Sequence, residues 1–384
     1  MIRVLHVTED HSFQNTGISG AVDAMTRYIP DVIQPAIACV GEETLPLRPG
    51  VELYTFPTQG LSKVWRFSAG QRDNLARVVA AADVVHIHGL WMWVQWAVAR
   101  EAVAQNKPFV VTPHGMLEPW IWARQSWPNR LKKSIYWTNI AYPVLRRAAA
   151  VHALTSREAG TLASYFPGQR LEIVPNGIDL QTVDQSLAGL LPVDSNEPPY
   201  FLFIGRLHPV KAIHLLIRAF SNLPENNFTL KIVGPIEPRE ETYATMLRKL
   251  VTDLGLEQRV AFIGVVQGSA KWQLYRDAWA FCLPSFTEVI GLVSLEAAAA
   301  ATPVITTYET GVVEDWDRCG GVRVHPEEES IRAGLNQALE WSPAERQARG
   351  RAMRELVENQ YSWERVGQAW VSVYQDLSGE HTDE

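Results

Sequence analysis

Pro284-Ser285-Phe286-Thr287-Glu288-Val289-Ile290-Gly291-Leu292-Val293-Ser294-Leu295-Glu296-Ala297 follows an apolar run, Trp279 to Leu283, that reads as a strand. The order is strand, turn with Gly291, then an Ala-rich helix. In an α/β protein that order leaves backbone N–H groups free for an anion at the start of a helix. Glu288 falls in the turn, and Glu296 falls about six residues into the helix, roughly 9 Å along its axis at 1.5 Å per residue. That is about the span of a diphosphate with a sugar at one end and a ribose at the other. Amides for the phosphates and one carboxylate for each sugar suit a nucleotide-sugar.

Working outward, short β-branched runs alternate with helical patterns almost from end to end. Strands are predicted at Arg3–Thr8, Ala36–Val40, Val51–Phe56, Val84–His88, Phe109–Thr112, Val151–Thr155 and Glu172–Val174. A second series runs through Tyr200–Ile204, Thr229–Val233, Val260–Ile263, Ala280–Leu283 and Pro303–Thr306. Helices are predicted between most of them, near Ala21–Tyr28, Gln71–Ala81, Trp93–Ala104 and Leu131–Ala148, and the chain after Ile331 reads as helical. Strict β–α alternation implies parallel sheets covered on both faces. The most linker-like stretch is Leu191-Pro192-Val193-Asp194-Ser195-Asn196-Glu197-Pro198-Pro199. The expectation is an α/β chain of two doubly wound, Rossmann-like domains facing a cleft, 1–190 and 191–360. A last helix in 361–384 is expected to pack back on the first domain.

A length of 384 residues exceeds one ordinary core and agrees with two domains. Hydrophobic content of 47% and charged content of 20% describe a folded protein. A net charge of −7 argues against nucleic acid as a partner. Cys39, Cys282 and Cys319 make no CxxC pair, which fits a reduced, cytoplasmic setting. The first residues read as a strand and not as an export signal, and no apolar run is long enough to span a bilayer.

A second informative stretch is Phe203-Ile204-Gly205-Arg206-Leu207-His208-Pro209-Val210-Lys211, at the end of the second series' first strand. Gly205 lets the backbone turn where open α/β sheets bind ligands. Arg206 and Lys211 add a forked guanidinium and a point-charge ammonium, which together suit a diphosphate.

Gly205-Arg206-Leu207 with Lys211, and Glu288 and Glu296 in a Pro-Ser…Glu…Gly-Leu…Leu-Glu-Ala frame, resemble the retaining glycosyltransferases of family GT4, which have the two-domain GT-B fold. Val174-Pro175-Asn176-Gly177-Ile178-Asp179, Ile232-Val233-Gly234 and Val260-Ala261-Phe262-Ile263-Gly264 resemble further segments of that family. Val84-Val85-His86-Ile87-His88-Gly89-Leu90-Trp91 and Thr112-Pro113-His114-Gly115-Met116 resemble first-domain loops of its bacterial polysaccharide-type members.

The resemblance implies that Arg206 and Lys211 neutralise the diphosphate, that Glu296 binds the ribose, and that Glu288 contacts the donor sugar near its reacting carbon. It implies a cradle from Ile290, Gly291 and Leu292, a base lying along Gly264 and Val265, a Gly17-Ile18-Ser19-Gly20 loop near the phosphates, and His114 at the sugar. Glu288 is either a nucleophile or an electrostatic partner. The donor implied is a UDP- or GDP-sugar and the acceptor a glycan or a lipid-linked molecule, with no metal and no other cofactor. The chain departs from the family at Val289-Ile290, where Gly-Phe is usual, and at Ala212 and Ala301, where Gly is usual. An epimerase or hydrolase of the same fold and a non-catalytic two-lobed sugar-binding protein stand as the alternatives.

Weaker signals complete the reading. His86 and His88 share one side of a strand, but no third metal ligand is evident. Asp315-Trp316-Asp317 reads as a solvated turn, and His152 and His208 read as structural. Trp120 to Arg147 holds Trp120, Trp122, Trp127 and Trp137 with Arg124, Arg130, Lys132, Lys133, Arg146 and Arg147, and no acid. That mixture suits a core-facing helix with a basic side, or peripheral contact with the inner membrane face.

Overall fold

Each apolar run finds its partners in a sheet. In the computed structural model, which describes residues 1–11, 16–41, 46–57, 70–123, 125–191, 197–224 and 227–379, the strands form two sheets. Pro192 to Asn196 of the expected join, and Arg124, lie outside the described residues.

The chain divides into two compact units, Met1–Gly177 with Trp363–Glu384, and Ile178–Ser362. The strands of the first are β1 Ile2–Val7, β2 Ile33–Val40, β3 Glu52–Phe56, β4 Val84–His88, β5 Phe109–Thr112, β6 Ala150–Ala153 and β7 Leu171–Ile173. They make a parallel sheet in the order β3-β2-β1-β4-β5-β6-β7. Its helices are α1 Thr16–Tyr28, α2 Arg72–Ala80, α3 Trp93–Ala104, α4 Pro119–Ala123, α5 Trp127–Tyr136, α6 Tyr142–Leu145 and α7 Ser156–Tyr165. The helix expected over Leu131–Ala148 is broken in three, because a π-turn at Trp137–Ala141 separates α5 from α6.

The two faces of this sheet differ in chemistry. Leu5, Val7, Val85, Ile87 and Val111 point into an apolar core with α2 and α3. On the other face Ile2, Val4 and Val84 pack under Trp363, Trp370 and Tyr374. Toward the carboxyl ends that face continues not with apolar residues but with His6, His86 and His88, all buried.

The second unit begins with α8 Leu180–Ala188 and holds β8 Tyr200–Ile204, β9 Thr229–Val233, β10 Val260–Gly264, β11 Ala280–Leu283, β12 Val304–Thr307 and β13 Val322–Val324. The sheet order is β10-β9-β8-β11-β12-β13, again parallel. Between strands run α9 Ile213–Ser221, α10 Glu241–Asp253, α11 Gly268–Asp277 and α12 Leu292–Ala299, and after β13 come α13 Glu328–Leu339 and α14 Pro343–Gln360. Helix α15, Trp363–Ser378, belongs to the first unit and packs on α1, β1 and β4.

The crossing into the second unit lies at Gly177–Ile178, ahead of the Pro-rich stretch read as the join. The cause is local. Ile178 N–H donates to the Tyr361 carbonyl at 2.6 Å, and α8 packs on α11, so those residues already belong to the second sheet's unit. No helix among the described residues is long and apolar enough to cross a membrane.

Candidate functional site

Strand β8 is the first of its unit, yet it lies beside β11, so the strand order reverses between them. Crossovers leave such a point in opposite directions and open a crevice outside the carboxyl ends. The loops singled out in the sequence leave from these two strands. Phe286 N–H donates to the Val210 carbonyl at 2.8 Å and ties one loop to the other.

Lys211 Nζ pairs with Glu288 Oε1, and the two side chains are only 13% and 16% exposed. Ser285 Oγ donates to the same oxygen at 3.0 Å. The Glu288 backbone is also fixed: its N–H donates to the Glu309 carbonyl at 3.2 Å, and its carbonyl accepts from Gly311 N–H at 3.1 Å. Arg206 stands outside this pair, more than half exposed, with Nη1 on Glu237 Oε1 at 2.8 Å. An exposed pair of this kind contributes little, so exchanging Glu237 for another anion costs little.

Glu296, inside α12, is clasped by α11. Lys271 Nζ lies 2.7 Å from Oε1, and the Tyr275 hydroxyl donates to Oε2 at 2.9 Å. Burial, with the carboxylate beside it, pushes the Tyr275 phenol well above its ordinary pKa. The phenol therefore stays a donor. Lys271 and Tyr275 were not singled out in the sequence. They stand four apart on α11, but that spacing gains meaning only once Glu296 is known to face them.

Backbone geometry holds the rest. Gly291 enters α12 with φ 62°. Gly264 ends β10 at φ 83°, and the following Val265 is exposed. Gly234 N–H donates to the Gly264 carbonyl at 2.8 Å, so the ends of β9 and β10 are joined. Ile290 turns its side chain into the interior, while Leu292 is exposed at the helix tip. Ala212 and Ala301, where the family usually has Gly, both keep left-handed backbones at φ 50° and 55°. An L side chain in that conformation costs roughly 1–2 kcal/mol.

In the first unit, Gly17 and Gly20 are not in a loop. They lie in the first two turns of α1 after β1. A helix start offers free N–H groups that a loop would have to arrange. His114 has φ 51° and follows β5. The turn is held by buried Glu158, which accepts from Gly115 N–H at 2.7 Å and from Leu154 N–H at 2.8 Å. Burial pushes the Glu158 carboxyl up to about 6.

His114 also ends a chain of imidazoles. His88 Nδ1 lies 3.0 Å from His114 Nε2, and His88 Nε2 lies 3.1 Å from His6 Nδ1. A second chain starts at the Val174 carbonyl, which can only accept, so His152 Nε2 carries its proton there at 2.7 Å. His152 Nδ1 then accepts from Thr112 at 2.9 Å, Thr112 accepts from His86 Nε2 at 2.6 Å, and His86 Nδ1 accepts from the Tyr374 hydroxyl at 2.7 Å. Burial lowers all five histidines, His6 and His114 to about 3 and His152 to about 4.

His6 is the third imidazole that spacing alone did not show. With His86 and His88 it brings ligand atoms within 4.8 Å of one another. Both His86 nitrogens are already in hydrogen bonds, so the cluster is accounted for as a network of neutral rings. His208 caps a short turn by accepting from Val210 N–H at 3.1 Å. Asp315 and Asp317 pair with Arg318 and Arg323 around buried Trp316, so that turn is structural.

Residues 193–355 match the family described as glycosyl transferases group 1, and residues 22–182 match glycosyltransferase family 4. Both halves of the chain thus resemble glycosyltransferases. The D-inositol 3-phosphate glycosyltransferase of Kribbella flavida is 28% identical to this chain over 391 residues, covering 92% of this chain and 86% of the relative. An uncharacterised glycosyltransferase of Methanocaldococcus jannaschii is 31% identical, covering 54% of each chain. Several other D-inositol 3-phosphate glycosyltransferases are matched over only 53–58% of their length. Thus the chain spans about half the length of most of these relatives. Among solved structures, Anabaena HepE in complex with UDP and glucose aligns with a TM-score of 0.73 at 17% identity, over 98% of this chain and 100% of that one. The fold is therefore GT-B.

Proposed function

We propose that this chain transfers a sugar, with retention of configuration, from a UDP- or GDP-sugar to a glycan or lipid-linked acceptor in the assembly of a surface polysaccharide. The observation that carries the reading is the convergence of Arg206, Lys211, Glu288 and the α12 tip on the reversal between β8 and β11, with Glu296 clasped behind them. Breaking a sugar–phosphate bond leaves the electron pair on the diphosphate and positive character on the sugar. Arg206, Lys211 and the amides of Gly291 and Leu292 stabilise the leaving diphosphate without a metal. Glu288, held at Oε1 by Lys211 and Ser285, stabilises the oxocarbenium-like carbon. Glu296 takes the ribose hydroxyls.

HepE holds UDP and glucose, and several relatives are named for inositol phosphate, so UDP-glucose and inositol 3-phosphate are the first donor and acceptor to test. The experiment is a thermal-shift panel of UDP, GDP, ADP and their sugars, followed by nucleotide release with and without acceptor. One nucleotide family should raise the melting temperature, and Arg206→Ala should remove the shift. Release that depends on acceptor supports transfer, whereas equal release without acceptor would make the chain a hydrolase. No shift with any nucleotide would overturn the reading.

A further inference from the structure

Helix α5 is mounted with its apolar side outward. None of its residues is buried. Trp127, Leu131 and Ile135 stand four apart and are 75%, 51% and 54% exposed. At 100° per residue these three form one stripe, and Arg130 and Lys132 flank Leu131 at roughly 100° on either side. Lys133 falls on the opposite side, where its ammonium lies 4.8 Å from the centre of the Trp91 ring and 5.9 Å from that of Trp122. Tyr136 joins the same aromatic floor, with its ring 6.0 Å from Trp91. A helix serving the core alone would turn its apolar stripe inward. Here a cation and aromatic rings fill the inner side, and the stripe meets solvent.

We propose that α5 docks this chain on an anionic lipid surface. Trp127, Leu131 and Ile135 would enter the headgroup boundary, while Arg130 and Lys132 would extend their charged ends to lipid phosphates on either side. The choice of occupant rests on charge: no acidic residue stands between Trp120 and Arg147, in a chain whose net charge is −7. Apolar side chains flanked by cations fit an anionic bilayer, and they fit poorly a second copy of an acidic chain. The proposal shares with the transferase reading only the idea that the acceptor is lipid-linked, and docking is measured without donor or acceptor.

The test is sedimentation of the full chain with vesicles of phosphatidylcholine, with and without phosphatidylglycerol, at low and high salt. Binding is expected only to vesicles that contain phosphatidylglycerol, and it should weaken with salt. The triple change Trp127→Ser, Leu131→Ser and Ile135→Ser should lower partitioning about tenfold or more with an unaltered melting temperature, because all three side chains are exposed. Arg130→Gln with Lys132→Gln should remove most of the salt dependence. Equal binding to neutral vesicles, no binding, or full binding by the triple variant would overturn the proposal. So would a concentration-dependent dimer that the triple variant dissolves, which would assign the stripe to a second copy.

Discussion

His88 Nδ1 lies 3.0 Å from His114 Nε2, and that contact decides which nitrogen of His114 carries a proton. At the far end of the chain, His6 Nε2 is buried without a partner. A buried N–H left unpaired costs more than a buried lone pair. His6 therefore holds its proton on Nδ1 and donates to His88, and His88 donates from Nδ1 to His114 Nε2. His114 is left as the Nδ1–H tautomer. Long-range ¹H–¹⁵N NMR of labelled histidines should find that tautomer, neutral, at pH 7. In His6→Phe the constraint is gone and a tautomer mixture is expected. An Nε2–H His114 in the wild type would reverse the direction of the whole chain.

The same histidines make the first unit sensitive to acid. Their folded pKa values lie below the unfolded value of 6.5, so the unfolded chain takes up protons that the folded one cannot. Stability is then complete above about pH 6.5 and falls as pH drops, by about 1.4 kcal/mol per pH unit for each histidine. Glu158 acts the other way, losing stability as pH rises from 4.5 to about 6, but it is one group against five. Urea midpoints should drop sharply between pH 7.5 and pH 5.5. A flat profile would mean the rings protonate in place.

What the sequence showed and what it hid have physical causes. Strands such as Val84–His88 and Tyr200–Ile204 were legible because runs buried on both faces are rich in β-branched, aromatic and other apolar residues. β13, Val322–Val324, was missed because three residues are too few to form a pattern. That Arg206, Lys211 and Glu288 stand in loops after strands could be read from the sequence because Gly205, Gly291 and the charges beside them are local. The clasp on Glu296, the Lys211 pairing with Glu288 and the Glu158 bond to Gly115 were hidden because each joins elements distant along the chain. The resemblance implied a loop at Gly17 and Gly20, yet they stand at the start of α1, which tolerates glycine although it is a poor helix former.

Arg206 and Glu288 separate stability from chemistry. Arg206 is exposed, so Arg206→Ala should leave the melting temperature unchanged while lowering turnover by about two to three orders of magnitude. Glu288→Ala should lower turnover as much and should also cost stability, because it strips a mostly buried Lys211 of its partner. Steady-state rates and thermal melts of both variants check this. Near-wild-type rates in both would place the site elsewhere.

Tyr275 tests the role of Glu296 without touching its charge. The hydroxyl is a donor to Oε2, so Tyr275→Phe removes one bond to a charged acceptor and keeps the ring in the core. If Glu296 serves the ribose and not the reacting carbon, the donor KM should rise about tenfold with kcat little changed. Glu296→Gln should raise KM further in the same direction. A fall in kcat at unchanged KM would instead put Glu296 at the reacting bond.

Gly234 should tolerate no side chain, for a reason that reaches Arg206. A Cβ built there would lie 1.9 Å from the Gly205 carbonyl oxygen, which is backbone and cannot swing aside. Gly264, also at positive φ, has nothing within 4 Å of the same atom. Gly264→Ala therefore carries only the left-handed strain of about 1–2 kcal/mol. Gly234→Ala adds to that strain the parting of the β8 and β9 ends, and it displaces the peptide from which Arg206 projects. Its melting temperature should fall further than that of Gly264→Ala, and its nucleotide-induced thermal shift should shrink. Equal melting temperatures for the two variants would show that the strand ends can move apart freely.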